Sequence, residues 1–141
     1  MILLDTNVIS ELMQAASARN AKVTAFLAAQ NVADLFLPSM AIAEIRYGIE
    51  QLPAGKRRNS IDQGFKALLQ TGFANRIINF DVACAEAYAT ARATRKRLGR
   101  PVSVEDALIG AMALAYGATL ATRNTTDFDG YGLTLINPWN E

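Results

Sequence analysis

Histidine is absent from all 141 residues, and cysteine occurs once, as Cys84. Lacking histidine, the chain has no Ser-His-Asp or Cys-His nucleophilic machinery and no ordinary zinc site. One cysteine gives no disulfide framework and no Cys-rich metal centre, which fits a reducing compartment. No basic region precedes the first apolar run, and that run is too short for a signal peptide. The longest uncharged stretch, Ala107 to Thr122, falls short of the roughly 20 apolar residues that a membrane span needs; a buried helix followed by a buried strand accounts for it. The expectation is a cytoplasmic protein with no membrane partner. Net charge is +1, from 14 basic and 13 acidic residues, so bulk charge selects no polyanion. With 51% hydrophobic residues the chain buries a core rather than staying disordered, and its length predicts one domain over residues 1–141.

Short apolar segments alternate with helical patterns. "MILL", "DLFLP", "RIINF", "ATLATRN" and "LTLIN" read as strands. Between them, "NVISELMQ" places Val8, Ile9, Leu12 and Met13 on one side of a helix, and "KVTAFLAAQ" forms a second. Ser39 is expected to cap "MAIAEIRYGIEQL", which stops before Pro53. "GKRRNSIDQGFKALLQTG" is polar at first and then helical. Asp81 caps "VACAEAYATARATRKRLG", which ends at Gly99, and Ser103 opens "VEDALIGAMALAYG". Strands apolar on both faces predict a parallel sheet covered by helices on each side. Right-handed crossovers bring the strand C-termini to one edge, outside which the site of such a sheet lies.

The acids fall at that edge. Asp5 ends the first strand, where it can cap the next helix or serve a site. Glu44 lies in the second turn of a largely apolar helix, where partial exposure is the ordinary reading. Asp106 completes a Ser103-x-x-Asp106 capping box. Asp127 follows the fourth strand in "TRNTTDFDG", a turn-rich stretch. Each has a structural explanation alone. Together, four carboxylates converging in one cleft repel and are costly to keep ionised without a cation. An oxygen-only donor set suits Mg²⁺ or Mn²⁺ rather than zinc, and the common work of such a site is phosphodiester hydrolysis, with water activated and transition-state charge stabilised.

Basic residues cluster in "ARATRKRLGR" (Arg92, Arg95, Lys96, Arg97 and Arg100) and in "KRR" at 56–58. They make either a solvated helix end favoured by the dipole or a surface for a nucleic-acid backbone. No interleaving of aromatic and basic residues points to base stacking. Tyr47, Tyr88 and Tyr116 read as core or interface, and Trp139 as a C-terminal packing anchor.

"LLDTNVISEL", "PSMAIAEIRYGI", "SVEDALIGAMAL", "LATRNTTDF" and "INPW" resemble the PIN-domain ribonucleases, specifically the VapC toxins of bacterial toxin–antitoxin pairs and their FitB-like branch, over essentially the whole chain. The resemblance implies a three-layer α/β/α sandwich around a parallel sheet of four or five strands. It implies Mg²⁺- or Mn²⁺-dependent endoribonuclease activity, with Asp5, Glu44, Asp106 and Asp127 as catalytic residues and metal ligands, and Thr6 and Asn124 supporting them. It also implies a homodimer, inhibition by a cognate antitoxin that binds operator DNA, and a tRNA or rRNA substrate. Arg123 and the 92–100 cluster are the candidates for holding the RNA backbone. The family often has His where this chain has Tyr116, a position outside the chemistry.

Two rivals are open. A haloacid-dehalogenase-type phosphatase also begins on a strand ending in Asp, but needs a second Asp two residues on to act as acid and base; Asn7 stands there. A non-catalytic PIN-like binding module would keep the acids for docking and cleave no RNA.

Overall fold

The computed structural model describes residues 1–140. Five short strands, β1 (Ile2–Leu4), β2 (Leu35–Pro38), β3 (Ile77–Ile78), β4 (Thr119–Ala121) and β5 (Leu135–Ile136), form one sheet in the order β3-β2-β1-β4-β5. Every neighbouring pair is parallel, with Leu3 beside Phe36 on one side and Leu120 on the other. Leu3, Leu4, Leu37 and Leu120 are wholly buried, because helices cover both faces. From β1 the chain first builds outward through β2 and β3, then returns to the other side for β4 and β5. The order therefore reverses between β1 and β4, the place where an open α/β sheet leaves a crevice.

The helices are α1 (Thr6–Leu12), α2 (Ala21–Ala28), α3 (Ser39–Glu50), α4 (Lys56–Ala67), α5 (Val82–Arg97) and α6 (Val104–Ala115). Asp81 caps α5 by accepting from the Cys84 amide at 3.1 Å. Ser103 caps α6 by accepting from the Asp106 amide at 3.2 Å. Gly99 and Gly117 follow α5 and α6 with φ of +69° and +60°, the left-handed turn that ends a helix without steric cost to glycine. No helix is long and apolar enough to cross a membrane among the described residues.

Three local expectations change. Pro38, not Ser39, occupies the cap position of α3. The Ser39 hydroxyl instead accepts from the Phe80 amide at 3.2 Å, tying the start of α3 to the chain beyond β3. Helix α4 begins within the polar "KRR" run at Lys56, where Arg58 pairs with Glu50 at 2.9 Å and Arg46 with Asp62. Of the two alternatives for Tyr47 and Tyr116, core or interface, their exposure removes the core one: Tyr47 points away from the buried Ala41, Ile45 and Ile49 stripe, and the Tyr116 hydroxyl donates to Asp81 at 2.6 Å.

Helix α6 approaches the 3₁₀ turn Thr125–Phe128 closely at Gly110. A Cβ there would stand 3.3 Å from Phe128 Cδ1 and 3.5 Å from its Cε1. Gly110→Val is expected to force Phe128 aside and destabilise the fold by about 1–3 kcal/mol, the usual cost of overpacking. Urea unfolding reads this, and an unchanged midpoint would show that the contact yields freely.

Candidate active site

Asp5 sits at the reversal point of the sheet. Its amide donates to Ala121 O at 3.0 Å, continuing the β1–β4 ladder by one residue, and its side chain is 3% exposed. A carboxylate this buried needs donors. The Thr6 amide supplies one to Oδ1 at 2.8 Å, the Thr122 hydroxyl one to Oδ2 at 2.6 Å, and Asn7 Nδ2 a longer one at 3.4 Å. Asp5 is thus both the cap of α1 and the rigid end of a central strand.

Glu44 projects from α3 over the same edge, where its Oε2 accepts from the Thr6 hydroxyl at 2.9 Å. Asp106 stands in the first turn of α6. Its amide bonds Ser103, but the reciprocal bond of a full capping box, from the Ser103 amide to its carboxylate, is not made among the described residues. Asp127 lies in the Thr125–Phe128 turn, whose shape is set by its amide donating to Asn124 O at 3.0 Å and by the buried Phe128.

The acids interact. Burial raises Asp5, Glu44 and Asp106 above the ordinary carboxylate range. Hydrogen bonds from Thr122, Thr6 and Asn7 partly offset this for Asp5, and one from Thr6 does so for Glu44. Charge repulsion then adds to it: Asp127 acts on Asp5, Asp5 and Asp106 on Glu44, and Asp5 and Asp127 on Asp106. Each of the four carboxylates is therefore within electrostatic reach of at least two of the others. Among the described residues no three His, Cys, Asp or Glu side chains draw together tightly enough to hold an ion unaided. That is compatible with a hard cation that keeps several waters and takes one or two carboxylates directly, as Mg²⁺ does. The donor chemistry fits such an ion: carboxylates and hydroxyls, desolvated and mutually repelling, with no nitrogen or sulfur ligand.

A family model for the PIN domain matches residues 2–132. The chain belongs to the PIN-domain family. It is 45% identical over 139 residues to the plasmid stability protein StbB of Pseudomonas syringae pv. tomato, covering 99% of each chain. It is 40% identical over 139 residues to the VapC ribonuclease Y4jK of Sinorhizobium fredii, covering 99% of this chain and 98% of that one. The solved structure of FitAB bound to an IR36 DNA fragment superposes with a TM-score of 0.90 at 36% identity, over 99% of this chain and 96% of that one.

Within this PIN domain, Thr122 and Asn7 are the polar residues that sequence reasoning missed. Thr122 is fully buried; its hydroxyl donates to Asp5 and accepts from the Asn124 amide at 3.0 Å. A polar residue closing an otherwise apolar strand at the active edge is the available signal. The Asn124 side chain makes no capping bond; its backbone shapes the turn instead. Arg123 is exposed, and its amide donates to Asn7 Oδ1 at 3.3 Å.

The basic cluster divides. Arg92, Lys96, Arg97 and Arg100 are exposed. Arg100 pairs with Asp129 at 3.2 Å, and Arg92 donates to the Tyr88 hydroxyl. Arg95 does not belong with them. It is 4% exposed, its guanidinium donates to Asp129 O, and it lies 5.6 Å over the Tyr131 ring. Helical period explains the correction, since Cys84, Ala91 and Arg95 form the buried stripe of α5. Arg95 clamps the turn that follows Asp127 and faces no solvent from which RNA could reach it.

Removing one repelling charge has a signed consequence. Asp106 takes up a proton in the folded state at a higher pH than its ordinary 3.8. Between 3.8 and its raised value the folded protein binds more protons than the unfolded chain, so stability falls as pH rises through that window and stays reduced above it. Asp106→Asn removes this loss and relieves Asp5 and Glu44. In EDTA the variant is expected to melt above the parent at neutral pH and to depend less on pH. Equal melting curves from pH 4 to 8 would mean the carboxylates do not repel in solution.

Proposed function

We propose that this PIN domain is a single-domain, metal-dependent endoribonuclease toxin of a toxin–antitoxin pair, acting in the cytoplasm as a homodimer and held inactive by a cognate antitoxin that also binds operator DNA. The observation that supports the reading is the electrostatic coupling of Asp5 to Asp127, of Glu44 to Asp5 and Asp106, and of Asp106 to Asp5 and Asp127, around the sheet's reversal point. Relatives named as a ribonuclease and a plasmid stability protein support it, as does the likeness to FitAB on DNA.

Asp5, Asp106, Asp127 and Glu44 would hold Mg²⁺ or Mn²⁺. When bound, the ion supplies Lewis-acid stabilisation of charge on the scissile phosphate and lowers the pKa of water. The chain's own groups do the rest. Asp5 is the fixed point, since its strand, Thr6 and Thr122 leave it little freedom. Glu44, raised by burial and carrying Thr6 on Oε2, keeps Oε1 to accept a proton from the attacking water. Exposed Arg92, Lys96, Arg97, Arg100 and Arg123 attract the RNA backbone, an interaction dominated by phosphate charge. A groove of about 580 Å³ runs from Thr6 and Glu44 along α1, α3 and α4 to Arg57, and offers a path for a single strand or for an inhibiting segment of the antitoxin.

Asp5→Asn should keep the fold and lower Mg²⁺-dependent RNA cleavage by at least about a hundred-fold, the lower range for losing a group that stabilises a transition state. It should also weaken Mn²⁺ binding in a calorimetric titration. Cleavage at the parental rate would remove Asp5 from the chemistry, and metal-loaded parent protein that cuts no RNA would favour the binding-module rival.

A further inference from the structure

The segment that closes the sheet builds a second feature at the mouth of the cleft. The guanidinium of Arg123 lies 5.1 Å over the ring of Trp139. The two stand sixteen positions apart in the chain, so no linear pattern of basic and aromatic residues announces them. Their backbones are fixed by Asn137, whose Nδ2 donates to Arg123 O at 3.5 Å while its Oδ1 accepts from the Trp139 amide at 3.0 Å. Thr122 N donates to Ile136 O at 2.9 Å just before them. Trp139 packs partly against the core, as its sequence position suggests, and Arg123 stays exposed in front of it.

This pair is joined to the acids by a short chain of bonds. Arg123 N donates to Asn7, and Asn7 donates to Asp5. Thr122, next to Arg123, is the buried donor to Asp5. Yet the cation is not spent on the carboxylates. Among the described residues Arg123 makes no ion pair, and the charges acting most strongly on Asp5, Glu44 and Asp106 are all other carboxylates. A positive, planar group backed by an indole and open to solvent is a stacking surface. Single-stranded RNA bases stack on aromatic rings and on arginine planes, and the indole behind fixes the guanidinium by cation–π attraction.

We propose that Arg123, backed by Trp139, is a stacking platform for one unpaired nucleobase of the RNA, close to the scissile phosphate. This rests on the ribonuclease reading above. It makes the preferred substrate a single-stranded segment or loop, since a paired base offers no free face.

The test is an abasic walk. Oligoribonucleotides of about 12 nucleotides, each lacking one base, are titrated by fluorescence anisotropy against the protein carrying Asp5→Asn, so that the RNA stays intact. One position should lose at least about five-fold in affinity when its base is removed, the lower bound for a stacked base. Adding Arg123→Ala or Trp139→Ala should erase that position-specific loss, whereas Trp139→Phe, which keeps an aromatic packing face, should retain it. Melting curves of each variant separate unfolding from loss of stacking, and the surface change Arg123→Ala stands if Trp139→Ala fails to fold. A flat walk, or a loss that persists undiminished in Arg123→Ala, overturns the platform alone. No RNA binding by the parent chain overturns the ribonuclease reading with it.

Discussion

The bond from the Thr122 hydroxyl to Asp5, 2.6 Å across the gap between β4 and β1, is the contact on which the rest of the site depends. A carboxylate 3% exposed at the end of a central strand has lost most of its water, and burying such a charge is costly unless neighbours donate to it. The sheet supplies those neighbours. Parallel pairing of Leu4 with Ala121 puts the residues after each strand side by side, so Asp5 and Thr122 meet because their strands do. The turn into α1 adds the Thr6 amide, and the Thr6 hydroxyl carries the link on to Glu44 in α3. Four elements are thereby tied to one carboxylate.

The same arrangement sets stability against function. Hydrogen bonds to Asp5 and Glu44 lower the cost of their charge, but burial and mutual repulsion outweigh them, leaving three of the acids above their ordinary range. A core of this quality can carry that load: Leu3, Leu4, Leu37 and Leu120 of the sheet are fully covered, and Phe65 and Phe128 are buried outright. The outer members of the quartet are held differently. Asp106 is placed by a helix cap, and Asp127 by a one-turn segment that Phe128 anchors beneath Gly110 and Arg95 grips from the far side. A rigid strand, a capped helix and a clamped turn thus hold their acids by different means on one shared core.

Much of this is legible in the sequence because its signals are local. Five apolar runs announce the five strands, and Asp81 and Ser103 cap the helices expected of them. The alternation of strands and helices fixes the active edge, so the acids following strands could be assigned to one region. What escapes is whatever depends on strand order or on a partner distant in the chain. Thr122 looks like an ordinary strand end until β4 is placed beside β1. Ser39 looks like a cap until Phe80 arrives to use its hydroxyl. Arg95 sits among exposed cations in the sequence, and only its register with Cys84 and Ala91 distinguishes it.

Counting cations therefore overstates what is available to a nucleic acid. Arg46, Arg76 and Arg95 each lie over an aromatic ring, at 5.0, 4.7 and 5.6 Å, and each is used to hold the fold. Arg46 pairs with Asp62. Arg76 donates to Val32 O and Leu35 O at 2.7 Å, fastening β2 to the turn before β3. Arg95 secures the turn beyond Asp127. Each of the three commits guanidinium N–H groups to carbonyls or a carboxylate while a ring lies against its face, although Arg95 Nε stays buried without a partner. Arg123 over Trp139 repeats the geometry without that consumption: among the described residues its guanidinium donates to no carbonyl and pairs with no carboxylate, and its side chain is exposed at the rim of the acid cleft. The same stacking that makes the other three structural leaves this one held in place and open to a ligand.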